Sequence, residues 1–381
     1  MANNPLKSLH SLGQSFWYDN IQRNLLENGE MQRMIDEYDL RGVTSNPSIF
    51  EKAITASHDY DAALAKLSSE QPDASGKDYF FALAIQDIQQ AADLLRPVYD
   101  ASNAQDGYVS LEVSPDLAYD AQASIKEARE LFIRLGRPNV MIKIPATEQG
   151  LEAIETLIAD GINVNATLLF TVERYIHVAQ AFIRGLSTRA KQGKSIENIA
   201  SVASFFVSRV DSALDEALDA AIANGQSALA DLKGKLAVAN AKAAYLQYQA
   251  LFSSNEFMAL ADKGAQVQRL LWASTGTKNP DYSDILYIEE LIGDHTVNTM
   301  PPTTLQAFQD HGSAASTLTV EMDKAAAMLQ RVRDASIDLD AIMLKLEKDG
   351  VDSFATSFDN LVKAIEHKIK TLDSDSSSNA A

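Results

Sequence analysis

The feature that most restricts the fold is an alternation. Short runs of β-branched and apolar residues recur between longer stretches of helical spacing, as in a parallel sheet built from βα units. About eight runs can be read: 15–19 (SFWYD), 42–46 (GVTSN), 109–113 (VSLEV), 140–145 (VMIKIP), 162–169 (INVNATLL), 200–207 (ASVASFFV), 270–275 (LLWAST) and 295–300 (HTVNTM). Eight strands separated by helices predict an α/β fold closed into a (β/α)8 TIM barrel rather than an open sheet.

The intervening segments carry apolar residues at i, i+3 and i+4. Leu151, Ile154 and Leu157 follow the fourth run, and Val210, Ala213, Leu214, Ala217, Leu218 and Ala221 follow the sixth, with Gly225 placed to cap that helix. Two connections exceed one helix: 48–108 is expected to hold two or more around a polar loop at 68–78, and 211–268 is expected to hold two. Beyond Met300 the pattern stays helical, over about 303–372, and 373–381 reads as a disordered tail. With no repeat and no clear linker, 1–372 is expected to form a single barrel domain with helical insertions. A length of 381 residues accommodates a barrel of roughly 250 plus these additions.

Composition narrows the chemistry. The absence of cysteine excludes disulfides, thiol nucleophiles, thiolate metal sites and iron–sulfur clusters together, and suits a reducing cytoplasm. The opening MANNPLKSLHSLG lacks the basic start and apolar stretch of a signal peptide, and no apolar run approaches the ~20 residues that span a bilayer. A soluble cytoplasmic protein is expected. The net charge of −19 opposes nucleic acid and anionic membranes as partners, leaving small anions held by a few cations gathered in a cleft.

Strand parity shows what the cleft contains, because successive side chains alternate faces. In 162–169, Ile162, Val164, Ala166 and Leu168 alternate with Asn163, Asn165 and Thr167. An antiparallel sheet would turn the polar set to solvent, whereas a barrel wrapped in helices turns it inward. By the same parity Ser110 and Glu112 face in, as do Met141 and Lys143, near the C-terminal ends where barrel enzymes keep their chemistry. Asp19 and Asn46 close the first two runs and extend the ring.

A lone lysine is ordinarily a solvated surface charge. Lys143, however, is flanked by Met141, Ile142, Ile144 and Pro145 in a strand covered on both faces. Burial disfavours the charged form of an amine, and the neutral form attacks carbonyls, so a Schiff-base lysine is the natural hypothesis. Asp19 and Glu112 are the proton carriers such a reaction needs; the plainer alternative makes them ion-pair partners that merely satisfy a buried charge. The histidines are scattered without paired ligand spacing, which disfavours a zinc-dependent aldolase, and neither GxGxxG nor a Walker loop occurs. No metal or cofactor is expected. Arg209 after the sixth run and the STGTK loop after the seventh, with Ser274 and Lys278, suit a phosphate monoester, although such a loop is often only a polar turn.

These residues together resemble the transaldolase family. GVTSNPSIF (42–50), VSLEVSP (109–115), VMIKIPAT (140–147), GINVNATLLF (161–170) and SFFVSRVD (204–211) are similar to its motifs, in its order, within a resemblance covering about residues 10–310. The resemblance implies transfer of a dihydroxyacetone unit between sedoheptulose 7-phosphate or fructose 6-phosphate and glyceraldehyde 3-phosphate or erythrose 4-phosphate, in the non-oxidative pentose phosphate pathway. It implies Lys143 as the Schiff-base lysine and Asp19 as the acid/base of carbon–carbon cleavage. Glu112 and Thr167 match the pair that positions a water for dehydration. Asn46, Asn165 and Ser204 match contacts to substrate hydroxyls and the Schiff base, and Arg209 and Ser274 match phosphate ligands.

One departure concerns the second phosphate cation, an arginine in better-known members. Its nearest candidate here is Lys278, displaced within a longer loop and offering a point charge in place of a planar fork. The alternative activity is a fructose 6-phosphate aldolase releasing free dihydroxyacetone. Related aldolases place a tyrosine where this chain has Phe206, and a phenyl ring cannot donate a proton to the bound three-carbon unit, which favours transfer. A catalytically dead barrel would have lost members of the constellation, and none of Lys143, Asp19, Glu112 or Thr167 is missing. Both a monomer and a homodimer remain open.

Overall fold

A computed structural model of the chain describes residues 4–378, with side chains described through residue 372. Eight strands, β1 (Gln14–Tyr18), β2 (Gly42–Val43), β3 (Tyr108–Glu112), β4 (Val140–Pro145), β5 (Val164–Leu169), β6 (Ser201–Phe206), β7 (Arg269–Ala273) and β8 (Thr296–Met300), pair in parallel and in chain order into a closed barrel. Closure runs from Gln14 against Thr296 to Tyr18 against Met300. Apart from Arg269 every strand residue is buried, because helices cover the outer face and side chains fill the interior. At the N-terminal end that filling is polar: Ser15 and Trp17 donate to Asp106 at 2.8 and 3.2 Å, and Arg269 reaches the same carboxylate at 2.8 Å.

The expected runs coincide with the strands to within a residue or two, except that β2 is only two residues long. Gly42 can have no side chain there, because a Cβ would lie inside the Trp17 ring. After Val43 the chain turns upward, and Asn46 leaves the strand to cap the helix Pro47–Thr55, accepting a hydrogen bond from the Ile49 amide at 3.0 Å.

The segment 48–108 holds the helices Pro47–Thr55, Asp61–Glu70 and Gly76–Ala101. The expected polar loop shrinks to 71–75, since Asp61–Glu70 runs into it and a capping box of Ser75 with Asp78 starts the next helix early. The second insertion holds more than the two expected helices: Ser208–Ala223, a 3-10 segment Ser227–Leu232, Leu236–Phe252 and Asn255–Ala261. Gly225 falls just past the cap residue Asn224, with φ of 98°.

Two buried carboxylates tie this insertion together. Asp211 accepts from the Ala237 amide at 2.8 Å and the Tyr287 hydroxyl at 3.0 Å, while Asp215 accepts from the Gly234 amide at 3.1 Å and the Tyr282 hydroxyl at 2.6 Å. Burial, with Asp215 adding to it, pushes the Asp211 carboxyl up to about 6 against these hydrogen bonds. Between its unfolded value of about 4 and this folded value, the native state binds more proton than the unfolded one. Stability therefore falls as pH rises through that window and is unaffected by this group above it. Urea unfolding of wild type and Asp211→Asn at pH 4.5 and pH 7 should show the wild type losing about 2 kcal/mol relative to the variant, on the scale of 1.4 kcal/mol per pKa unit. A difference independent of pH would contradict this.

After β8 come Pro302–His311, Met322–Asp334 and Leu339–Ser378. The last of these crosses the C-terminal mouth of the barrel. Its anchors are Ser357 to Ser48 at 2.7 Å, Glu347 to Arg174 at 3.4 Å, and Lys368 to Asp61 at 2.6 Å. Of the expected disordered tail, 379–381 lie outside the described residues, and the helix is assigned through Ser378. Among the described residues no helix is long and apolar enough to cross a membrane.

Candidate active site

The register sets Glu112, Lys143 and Asn165 side by side on β3, β4 and β5. Parallel pairing aligns same-facing residues at one height, so the two charges meet inside the barrel. The Lys143 side chain is only 5% exposed; its Nζ lies 3.3 Å from Glu112 Oε2 and donates to the Ser45 carbonyl at 3.2 Å. Burial raises the Glu112 carboxyl above the ordinary carboxylate range, opposed by Lys143 and assisted by Asp19. The contact with Lys143 is ionic in distance but poorly directed, leaving both Glu112 oxygens without a well-formed hydrogen bond. Thr167 Oγ1, on β5 at the level of Pro145, is also buried without a hydrogen-bond partner.

Asp19 stands one residue beyond β1, at the edge of the same cleft. Thr44 Oγ1 donates to its carboxylate at 2.7 Å and lies 2.6 Å from Thr299 Oγ1, which must then donate to Thr44. This relay fixes the carboxylate's orientation. Burial raises the Asp19 carboxyl, outweighing Lys143, the Thr44 hydrogen bond, Arg209 and Lys278. Both carboxylates are thereby disposed to exchange protons closer to neutral pH than a solvated acid would.

On the far wall, Ser204 on β6 donates to Asn165 at 2.7 Å, and the Asn165 amide donates to Ser110 at 3.1 Å. Arg209, in the first turn of Ser208–Ala223, lies between two rings: its Cζ is 5.2 Å from the centroid of Phe206 and 5.8 Å from that of Phe354. Among the described residues it has no ion-pair or hydrogen-bond partner, so its N–H groups remain available to an anion. Burial lowers its pKa, against the pull of Asp19. Ser274 holds a left-handed φ of 56° and shares a 2.8 Å hydrogen bond with Ser208.

Asp19, Asn46, Lys143, Thr167, Ser204, Phe206, Arg209 and Ser274 thus border one cleft. Three expected residues stand apart from it. Glu112 lies behind Lys143 and Asn165 beneath Ser204, both as supports to residues that line the space. Lys278 borders a neighbouring groove with Arg209, Ser212 and Lys345, within electrostatic reach of Asp19. Thr44, Ser48, Thr299 and Phe354 line the cleft without having been singled out in the sequence. Inward parity on β8 signals Thr299, whereas nothing local signals Phe354. Among the described residues no group of three or more histidine, aspartate or glutamate side chains is placed to hold a metal ion.

Comparison with known proteins identifies a family and relatives that the chain is similar to. The family described as Transaldolase/Fructose-6-phosphate aldolase matches residues 16–365. Transaldolase 2 of Nostoc sp. is 46% identical over 381 residues, covering 98% of this chain and 99% of that protein. The transaldolases of Trichodesmium erythraeum (43% identical over 379 residues, 98% and 99% covered) and of a Neisseria meningitidis serogroup C strain (44% over 357 residues, 94% and 98%) are similar along nearly their whole lengths.

Proposed function

The chain belongs to the transaldolase/fructose-6-phosphate aldolase family, and from that premise we propose that it acts as a transaldolase. It moves a dihydroxyacetone unit between sedoheptulose 7-phosphate or fructose 6-phosphate and glyceraldehyde 3-phosphate or erythrose 4-phosphate, a step of the non-oxidative pentose phosphate pathway. The observation that carries the reading is a buried amine, Lys143, set against two carboxylates with raised pKa at the mouth of a barrel beside an unpartnered arginine.

The Lys143 amine adds to the ketose carbonyl at C2, and the oxygen leaves as water. Glu112 and Thr167, with their unused hydrogen-bonding capacity, are placed to hold the water that carries those protons. The resulting iminium withdraws electrons from the adjacent bond. Asp19 takes the C4 hydroxyl proton, the C3–C4 bond breaks, the aldose leaves, and the electron pair remains as an enamine on Lys143. An acceptor aldose reverses these steps, with Asp19 returning the proton to the new hydroxyl. Asn46 and Ser204 meet substrate hydroxyls, while Arg209 and Ser274 hold the phosphate; no cofactor takes part.

Incubation with fructose 6-phosphate and erythrose 4-phosphate should yield sedoheptulose 7-phosphate and glyceraldehyde 3-phosphate. Rapid release of free dihydroxyacetone from fructose 6-phosphate alone would instead mark an aldolase, an outcome that Phe206, having no donor, disfavours.

Arg209→Ala should raise KM for fructose 6-phosphate about 10- to 100-fold, the scale of one or two charge-assisted hydrogen bonds. Lys278→Ala, at the edge of the next groove, should raise it no more than about threefold. Steady-state kinetics on both variants tests this order, and an equal effect would place Lys278 on the phosphate.

A further inference from the structure

The helix Leu339–Ser378 lies directly on the catalytic groups. Phe354 is 3% exposed, and its ring centroid is 5.4 Å from Lys143 Nζ and 5.8 Å from Arg209 Cζ, so one ring faces both the reacting nitrogen and the phosphate cation. One turn earlier, Gly350 permits the approach: a Cβ there would come within 2.9 Å of Leu168 Cδ2 and 3.5 Å of Arg209 Nη1. One turn later, Phe358 seats the helix against Phe80, edge to face at 5.4 Å. Anchors on both sides hold Phe354 over the cleft.

We infer that Phe354 is a specificity-determining residue which, by roofing the Schiff base and clamping Arg209, biases the three-carbon intermediate toward transfer and away from release. The inference rests on the reaction proposed above. Once the aldose has left, the enamine on Lys143 has two fates. Its carbon attacks an acceptor aldehyde, whose oxygen takes the Asp19 proton. Otherwise a proton adds to that carbon, water adds across the C=N bond, and the carbinolamine expels the Lys143 amine and free dihydroxyacetone, consuming one water overall. The water that hydrolyses the C=N bond serves transfer as well, so release is set apart by the proton that must reach the enamine carbon, and Phe354 and Phe206 present rings that have none to give. The ring face also keeps the Arg209 guanidinium in place for the phosphate of the incoming acceptor.

The test compares wild type, Phe354→Leu and Phe354→Ala in the full chain. Free dihydroxyacetone is measured from fructose 6-phosphate alone, transfer with saturating erythrose 4-phosphate, and folding by circular dichroism. The release-to-transfer ratio should rise about tenfold in the alanine variant, and KM for fructose 6-phosphate should rise several-fold in both, because leucine keeps the apolar bulk but not the ring face. Leucine, close in volume, carries the test if alanine unseats the helix. An unchanged ratio and KM in folded Phe354→Leu would overturn the inference. Failure of wild type to form a borohydride-stable adduct on Lys143 would overturn the underlying reaction, and the two failures are distinguishable.

Discussion

Replacing Lys143 with arginine should lower kcat by at least about 10⁴-fold and abolish the borohydride-stable three-carbon adduct. Guanidinium stays protonated and cannot add to a carbonyl, so the covalent route is closed while a positive charge is retained. That retention makes arginine the informative substitution. A methionine would leave Glu112 facing a dry pocket with no cation, and lost activity could then be ascribed to local collapse. Arginine keeps a partner for the carboxylate now 3.3 Å from the amine. Its extra bulk in an almost fully buried site should cost about 1–3 kcal/mol of stability, short of unfolding the barrel. Single-turnover kinetics with fructose 6-phosphate, followed by reduction and peptide mapping, measures both effects. Activity within tenfold of wild type would remove Lys143 from the nucleophile's role.

Asp19→Asn should separate the steps that Lys143→Arg removes together. Asparagine can still accept the Thr44 hydroxyl, now 2.7 Å from the carboxylate, so the relay to Thr299 survives. It cannot take a proton from the C4 hydroxyl, and kcat for cleavage should fall by about 10²- to 10⁴-fold. Adduct formation with fructose 6-phosphate should persist, because addition to C2 does not draw on Asp19. The wild-type acid limb should differ too. Asp19 must be ionised to accept a proton, and burial raises its pKa, so kcat/KM should fall with decreasing pH while a solvated aspartate would still be charged. Asp19→Asn should lack that limb. Loss of the adduct in this variant would show that Asp19 acts earlier than proposed.

Strand parity made much of this legible. In a buried parallel sheet the side-chain period is two, so a lysine and a glutamate at matching positions in VSLEV and VMIKIP had to share the interior. The pairing of β8 with β1 could not be read locally, yet the number and order of the runs implied closure; its register is known only from the structure. What escaped depends on chain geometry outside the strands. Asn46 looked like a strand residue because VTSN is β-branched, but Pro47 starts a helix and draws Asn46 into its cap. How far Lys278 is displaced from the cleft was also hidden: it ends STGTK, and its longer loop sets it at the adjoining groove that Arg209 also borders. Phe354 carries no signal at all. A phenylalanine on an amphipathic helix looks the same whether it meets the barrel's flank or its mouth, and only tertiary packing distinguishes the two.

The order of synthesis gives the roof helix a further consequence. β8 ends at Met300, so every strand of the barrel is made before the helix Leu339–Ser378 begins. At roughly 5–20 residues per second, Phe354 follows Met300 by about 3 to 11 seconds. A nascent barrel that closes promptly holds Lys143 at an open mouth for that interval, and the helix that brings Phe354 to the cleft arrives last.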